Sequence, residues 1–217
     1  MTIAVVISLI GTASLYLYAA SQEAEKVNIG DIDEEYVGAL VETEGMVMDV
    51  FDFGSSMSIV IGDSDSKEEV DVFVGKNLIS NMEDREDLIP GAVIWTKGRV
   101  ELYEEDISIN VEGPGELIIK EKAYSSFTPI ESILENPGWY KGTNMKIKGE
   151  ITFLRRYENQ TILEISDLEG GYYDIYCSVE RTSTDQYLLQ GDPVVIKGEF
   201  DYNSRIGRWI IEGEILS

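Results

Sequence analysis

The chain repeats itself at an interval of about one hundred residues, and this internal repeat limits the possible folds more than any other feature of the sequence. Glycine, aromatic and acidic landmarks recur in the same order in both halves. The matched pairs are Tyr36/Tyr140, Gly38/Gly142, Gly45/Gly149, Asp63/Asp167, Leu88/Leu188, Gly91/Gly191, Lys97/Lys197 and Gly98/Gly198. Two tripeptides also match, Asp71-Val72-Phe73 with Asp174-Ile175-Tyr176 and Val111-Glu112-Gly113 with Ile211-Glu212-Gly213. A period of this length predicts two copies of one domain rather than a solenoid of short units.

The repeat divides the chain into an N-terminal segment, residues 1–22, a first domain, residues 27–122, and a second domain, residues 127–217. A chain of 217 residues has room for two such domains. Because 43% of the residues are hydrophobic, which is ordinary for a globular protein, each domain can build its own core.

Short runs of alternating apolar and polar residues predict five strands in each copy. In the first copy the strands are expected at residues 40–53, 57–62, 70–74, 92–103 and 106–111, with an extension at 116–119 and a short helix or loop at 78–86. In the second copy they are expected at 145–157, 161–167, 172–177, 193–202 and 207–216. Gly45 is the expected place for a bulge or sharp coil in the long first strand. Strongly coiled strands suit a small closed barrel, so the sequence predicts an all-β protein of two tandem five-stranded OB-fold barrels.

The charge of the chain is strongly acidic, with 17 basic and 41 acidic residues and a net charge of −24. Residues 1–126 hold 8 basic and 26 acidic side chains, whereas residues 127–217 hold 9 and 15. A field of this sign disfavours nonspecific binding to phosphate backbones and is typical of a solvated acidic surface. The first domain is therefore the less suitable half for nucleic acid.

Residues 1–20 contain no charged side chain, and a helix of this length spans roughly the 30 Å hydrocarbon core of a bilayer. We therefore expect one N-terminal transmembrane helix, with residues 3–20 as a retained single-pass anchor. A cleaved signal peptide is the alternative, but the segment has no basic residue and would place Tyr18 three residues before the cut. An extracytoplasmic location of the folded part is favoured, and Asn159, in the triplet Asn159-Gln160-Thr161, is then a candidate glycosylation site.

The side-chain inventory favours binding over catalysis. The chain has no histidine and a single cysteine, Cys177, so an intramolecular disulfide and a cysteine zinc cluster are excluded. Cys177 is interpreted as a small core residue. No glycine-rich phosphate loop, nucleophile elbow or metal-ligand spacing occurs, and the runs 63–66 and 83–84 suit solvated turns better than calcium loops. We expect no enzymatic activity, no cofactor and no metal.

One run occurs in both copies and identifies a resemblance. Leu-x-x-Gly-x-x-Val/Ile-x-x-Lys-Gly-x-Val/Phe spans residues 88–100 and 188–200, and a Tyr-x-Gly element and a strand with a central glycine precede it in each copy. From about residue 27 onward the chain resembles the nucleic-acid-binding OB-fold superfamily, in the variety of tRNA-anticodon-binding domains and archaeal single-strand-binding (replication protein A) modules. The motif is specific for the fold and not for the ligand.

The resemblance implies a binding face on the second and third strands of a barrel, framed by the first-to-second and fourth-to-fifth loops. Single-stranded nucleic acid is held there by aromatic stacking and a basic groove. The candidate residues are Arg155, Arg156, Tyr157, Tyr176, Arg205 and Arg208 in the second copy and Phe73 in the first. Phe73 and Tyr176 are expected to face away from the core. The alternative is that Phe51, Phe73 and Tyr176 pack under loops or between the barrels.

A second resemblance concerns the layout alone. An N-terminal anchor followed by an OB barrel is similar to the haem chaperone of cytochrome c maturation, and Gly45-Met46-Val47-Met48 and Ala123-Tyr124 look like stretches of that family. That family attaches haem through a histidine, or a cysteine in variants, just after the barrel. The corresponding residues 120–124 contain neither, so the haem chemistry does not carry over.

Two functions remain open at this point. In the first, the chain is a membrane-anchored module that binds single-stranded nucleic acid through the second copy. In the second, it is a protein-interaction or assembly subunit on the cell surface or in a membrane complex, with a protein partner or a second copy of itself and no nucleic-acid ligand.

Overall fold

A computed structural model describes residues 23–63, 66–103, 106–167, 173–180 and 187–216. These residues form two closed five-stranded barrels, which confirms the predicted all-β architecture. The predicted anchor lies outside the described residues. Within the described ranges, no helix has the length and apolar character needed to cross a membrane.

The first barrel has the strand order β2-β3-β4-β6-β5 and closes where β2 pairs with β5. Its strands are β1 (Glu25–Lys26), β2 (Leu40–Asp52), β3 (Ser56–Gly62), β4 (Glu69–Gly75), β5 (Val93–Tyr103), β6 (Asp106–Val111) and β7 (Leu117–Glu121). Strand β1 lies parallel to β2, and β7 lies antiparallel to β5. The helix α1 (Lys76–Ile79) follows β4, and short 3-10 turns occur at Ile29–Asp31, Glu34–Tyr36 and Arg85–Asp87.

The second barrel repeats this order. The helix α2 (Ile130–Glu135) precedes the strands β8 (Asn144–Arg156), β9 (Gln160–Ser166), β10 (Asp174–Glu180), β11 (Pro193–Asn203) and β12 (Arg208–Leu216). The order β8-β9-β10-β12-β11 closes between β11 and β8, and in both barrels the third and fifth strands are parallel. A closed five-stranded Greek-key barrel of this kind is an OB-fold. The predicted strands agree with the observed ones to within a few residues.

Alternation along each strand separates the core from the outer face. In β4, Val70, Val72 and Val74 are buried, whereas Phe73 is 37% exposed. In β10, Ile175 and Cys177 lie in the core of the second barrel, each 1% exposed. The interpretation of Cys177 as a core residue is confirmed, and its burial raises the pKa of the thiol far above its ordinary value.

The long first strand of each barrel contains a bulge, but Gly45 is not its site. The register of β2 against β3 shifts between Val47 and Asp49, and the register of β8 against β9 shifts between Ile151 and Phe153, the matching place in the repeat. Gly45 instead allows close packing, because a methyl group there would lie 2.5 Å from Cδ1 of Ile29. The sharp coil therefore comes three residues later than the glycine pattern predicts.

Strand register corrects one detail of the repeat. Ser58 of β3 pairs with Phe73 of β4. Ile162 of β9, which matches Ser58 in the repeat, pairs with Ser178 and not with Tyr176. The second barrel therefore has Ser178 where the first has Phe73, and the sequence match of Phe73 with Tyr176 is displaced by two residues. A shift of two residues keeps each side chain on its side of the sheet.

The last strands show the same displacement. Val100 and Phe200 match in the repeat, and they pair with Ile109 and Ile211. The sequence match had placed Val111 on Ile211. The third and fifth strands, which lie side by side in each barrel, are thus displaced together.

The two barrels contact each other around Asn144, the first residue of β8. Its backbone N–H and its side-chain amide both donate to the carbonyl oxygen of Pro90, each at 3.2 Å, and the hydroxyl of Tyr124 donates to Oδ1 of Asn144 at 2.5 Å. Beside them, the ring of Trp139 packs against Gly62, where a methyl group would lie 2.4 Å from Cη2. The turn that precedes β5 in the first barrel is thereby joined to the first strand of the second barrel.

Candidate functional site

A cleft of about 290 Å³ lies on the outer face of the second barrel. It is bounded by β9, β10 and β12 and by the turn between β11 and β12, which corresponds to the fourth-to-fifth loop of the OB-fold. Side chains that line it include Ile162, Tyr176, Ser178, Arg205, Ile206 and Ile210. The cleft therefore occupies the face that the OB-fold resemblance implies.

The floor of the cleft follows from strand alternation. Because Ile175 and Cys177 point into the core, Tyr176 and Ser178 project from the outer face of β10. Tyr176 pairs with Ile210 of β12, which is only 3% exposed although it lies on this face. An apolar floor with polar groups at its rim can take a flat or partly apolar ligand.

The turn between β11 and β12 places Arg205 at the rim. The backbone N–H of Arg205 donates to Oδ1 of Asn203 at 3.1 Å, and Gly207 has a φ of +67°. Glycine adopts this left-handed conformation without steric cost, so the chain can return sharply into β12. Ile206, at the tip of the turn, is 55% exposed.

Tyr176 and Arg208 form a stacked pair at the cleft. The guanidinium carbon of Arg208 lies 4.3 Å from the centroid of the tyrosine ring. Burial raises the pKa of Tyr176, a hydrogen bond to Glu164 raises it further, and Arg208 opposes both effects. The phenol is therefore neutral at physiological pH, and a cation covers one face of its ring.

A second pair, Arg155 and Tyr157, lies at the turn between β8 and β9. The guanidinium carbon of Arg155 is 5.1 Å from the ring centroid of Tyr157, which is 42% exposed. Arg155 pairs with Ile162, and Ile162 pairs with Ser178, so this arginine continues the row of residues that forms the cleft. The predicted set thus brings Arg155, Tyr157, Tyr176, Arg205 and Arg208 to one face.

Arg156 and Phe73 lie elsewhere. Arg156 is opposite the core residue Thr161 in the register, and its guanidinium donates to the carbonyl oxygen of Leu188 at 2.5 Å. Phe73 projects from the first barrel. Neither residue contributes to the cleft on the second barrel.

The three aromatic side chains named in the packing alternative differ in how far they are covered. Phe51 is 46% exposed and Phe73 is 37% exposed, while Tyr176 is half-buried beneath Arg208.

Asn159, the candidate glycosylation site, is exposed in the turn between β8 and β9. Acidic side chains also lie close, because Glu212 lines the cleft and Glu164 bonds to Tyr176.

Several cleft residues were not singled out as site residues from the sequence, among them Ile162, Ser178 and Gln160, whose side-chain oxygen accepts a hydrogen bond from Ser178 at 3.3 Å. Alternation places Ser178 on the same side as Tyr176, so a period-two count from Tyr176 would have found it. Among the described residues, no group of three or more acidic or cysteine side chains is arranged to hold a metal ion.

No protein-family model matches the sequence, and no curated protein matches it significantly. Among solved structures, asparaginyl-tRNA synthetase from Pyrococcus horikoshii matches with a TM-score of 0.41 and 20% identity over 54% of this chain and 30% of the synthetase. An OBody bound to hen egg-white lysozyme matches with a TM-score of 0.37 and 21% identity, over 46% of this chain and 100% of the OBody. The p204 HINb domain matches with a TM-score of 0.33 and 10% identity over 80% of this chain and 95% of that domain. This chain thus spans less than a third of the synthetase, and the OB-fold assignment rests on its own strand order and closure.

Proposed function

We propose that this chain is a non-enzymatic binding protein with domains at residues 27–122 and 127–217, anchored in a membrane by residues 3–20. Its second barrel binds single-stranded nucleic acid in the cleft beside Tyr176. One observation carries the proposal: two arginine–tyrosine pairs, Arg208 with Tyr176 and Arg155 with Tyr157, lie on the same outer face. The folded part is extracytoplasmic in this proposal.

The chemistry of these pairs suits unpaired bases. Guanidinium planes and aromatic rings both provide surfaces on which bases stack. Arg205, at the rim, is placed to neutralise a phosphate. Glu164, Glu212 and the net charge of −24 act against this attraction, so binding is weak and strongly dependent on salt.

The test is a fluorescence-anisotropy titration of labelled oligothymidine and oligouridine with the full-length chain in neutral detergent. At about 50 mM salt, where phosphate contacts are strongest, the wild type binds, and Arg155→Ala combined with Arg208→Ala weakens binding at least about tenfold. The control combines Lys76→Ala and Lys120→Ala, which removes the same charge from exposed positions of the first barrel. Absence of binding at low salt excludes the proposal.

The alternative is a protein-interaction or assembly role without nucleic acid. It predicts that the wild type binds neither oligonucleotide and instead self-associates or copurifies with a membrane complex. Sedimentation of the same detergent-solubilised sample distinguishes the two functions.

A further inference from the structure

The outer face of the first barrel carries exposed aromatic side chains in a row. Ser58 of β3 pairs with Phe51 of β2 on one side and with Phe73 of β4 on the other. Ser58 is 3% exposed, whereas Phe51 and Phe73 are 46% and 37% exposed. The two rings therefore stand on either side of a small side chain, and Phe53, 63% exposed, extends the apolar surface at the next turn.

Carboxylates form the neighbouring row of the same face. Val60 of β3 pairs with Asp49 and with Asp71, and Ser108 pairs with Asp71 and with Glu101. Asp71 accepts a hydrogen bond from the hydroxyl of Ser58 at 2.8 Å. The ion pairs formed by the described residues involve none of these three carboxylates.

The arginine on this face is already engaged. Arg99 pairs with Asn110 in the register and lies 3.3 Å from a carboxylate oxygen of Glu112, and it donates to the carbonyl oxygen of Gly38 at 2.6 Å. The surrounding half of the chain holds 8 basic and 26 acidic residues. The face therefore attracts cations and repels phosphate.

We propose that this face, defined by Phe51, Phe73, Asp49, Asp71 and Glu101, binds an arginine-containing basic segment of another protein. A guanidinium group stacks on an aromatic ring and donates a fork of hydrogen bonds to a carboxylate, which are the two features that this face presents side by side. The aliphatic part of the arginine side chain covers the phenylalanine rings while its charged end reaches the carboxylates.

The same chain already uses this contact internally. Arg208 lies over Tyr176 at 4.3 Å, and Nζ of Lys146 lies 4.6 Å from the ring centroid of Phe127. On the first barrel, the rings of Phe51 and Phe73 have no such cation among the described residues. The charge and the exposed rings together favour a basic protein over a second copy of this acidic chain.

The test measures binding of a short fluorescein-labelled oligoarginine peptide to the full-length chain in neutral detergent. The wild type binds it more tightly than an oligolysine peptide of the same length, because only the guanidinium both stacks and bonds in a fork. Phe51→Leu with Phe73→Leu, and separately Asp49→Asn with Glu101→Gln, each weaken oligoarginine binding about fivefold or more. The carboxamide variants keep the size of the side chains, so they decide the result if the phenylalanine variant does not fold.

The matched control combines Glu83→Gln and Glu86→Gln, which removes the same charge at exposed positions outside the sheet. Binding of the control at wild-type strength supports the proposal, whereas an equal loss in the control overturns it in favour of a general charge effect. Loss of oligonucleotide binding, or of self-association, on mutation of this face would also overturn it. A negative result with the oligoarginine peptide does not bear on the nucleic-acid site proposed for the second barrel, because these variants all lie in the first barrel.

Discussion

Gly98 and Gly198 show why a glycine recurs at the same place in both copies. A methyl group at Gly98 would lie 2.5 Å from the carbonyl oxygen of Asn110, and one at Gly198 would lie 2.4 Å from that of Glu212. The fourth and fifth strands approach too closely at this point for any side chain. The repeated glycine is therefore a consequence of barrel closure.

We expect Gly98→Ala to destabilise the protein by about 1–3 kcal/mol, because the backbone of β6 must shift to admit the methyl group. Urea unfolding measures the loss. The control is Gly138→Ala, where no atom of the described residues, apart from the two chain neighbours, lies within 4 Å of the new methyl group. That substitution is expected to change stability by less than about 0.5 kcal/mol. Equal stability of the two variants would contradict the steric account.

The Tyr176–Arg208 pair gives a prediction for pH. Burial and Glu164 hold the pKa of Tyr176 above its ordinary value, and Arg208 lowers it. Arg208→Ala should therefore raise the pKa further. Because the folded-state pKa is the higher one, the associated stability is fully present below the unfolded tyrosine pKa of about 10 and is lost as pH rises through the folded pKa.

The pKa of Tyr176 can be followed by NMR titration of protein labelled with 13C at tyrosine Cζ. Arg205→Ala is the control, since Arg205 is not among the groups that shift this pKa. An unchanged pKa in Arg208→Ala would show that the arginine does not act on the phenol, and a lower pKa would show that it raises rather than lowers the pKa.

At the scale of elements, the turn before β5 has two roles, whereas its counterpart before β11 has one. Gly91 and Gly191 have nearly the same left-handed backbone, with φ of +93° and +95°. A methyl group at Gly91 would lie 2.1 Å from the carbonyl oxygen of Asn144, whereas at Gly191 the nearest atom of the described residues, chain neighbours aside, is Oε1 of Glu150 at 4.0 Å. The first turn therefore also docks one barrel on the other.

We expect Gly191→Ala to cost about 1 kcal/mol, which is the strain of a left-handed alanine. Gly91→Ala carries the same strain and, in addition, pushes the barrels apart at Asn144, so its cost should be larger by about 1–3 kcal/mol. Unfolding curves of the two variants give the difference, and limited proteolysis of residues 121–129 reports whether the junction opens. Equal costs would mean that the barrels do not depend on this contact.

At the scale of the whole molecule, self-repulsion is the dominant electrostatic term. The chain carries 41 acidic and 17 basic residues, and the ion pairs among the described residues are at least partly exposed to solvent. Exposed ion pairs contribute little to stability, so their screening costs little. Screening the excess of negative charge should instead favour the compact state.

The melting temperature should therefore rise by several degrees between about 20 and about 500 mM sodium chloride, with most of the rise below about 100 mM, where the Debye length shortens fastest. Differential scanning calorimetry measures the change. An uncharged solute at equal osmolality serves as the control. A melting temperature that falls with salt would show that attractive ion pairs outweigh the repulsion.

Much of the fold could be predicted because its signals are local. Alternating valines placed β4 correctly with Phe73 outside, and repeated glycines marked the strands that coil. Part of the candidate cleft could also be predicted from the sequence, since Tyr176, Arg205 and Arg208 lie near the strand and loop that the OB-fold pattern assigns to a ligand. The hydrogen bond from Arg156 to the carbonyl oxygen of Leu188 could not be predicted from the sequence, because the two residues are 32 positions apart along the chain.

By itself, the sequence determined the duplication, the strands and the side of the sheet on which each residue lies, because hydrophobic alternation and the repeat are patterns in the order of the residues. Only the tertiary structure decided the register, which puts Ser178 and not Tyr176 at the place of Phe73. The physical reason is the two-residue period of a strand: a slip of two residues leaves the buried and exposed pattern unchanged. Cross-strand hydrogen bonds and the docking of Asn144 against Pro90 are long-range contacts, and they exist only once the barrels have closed.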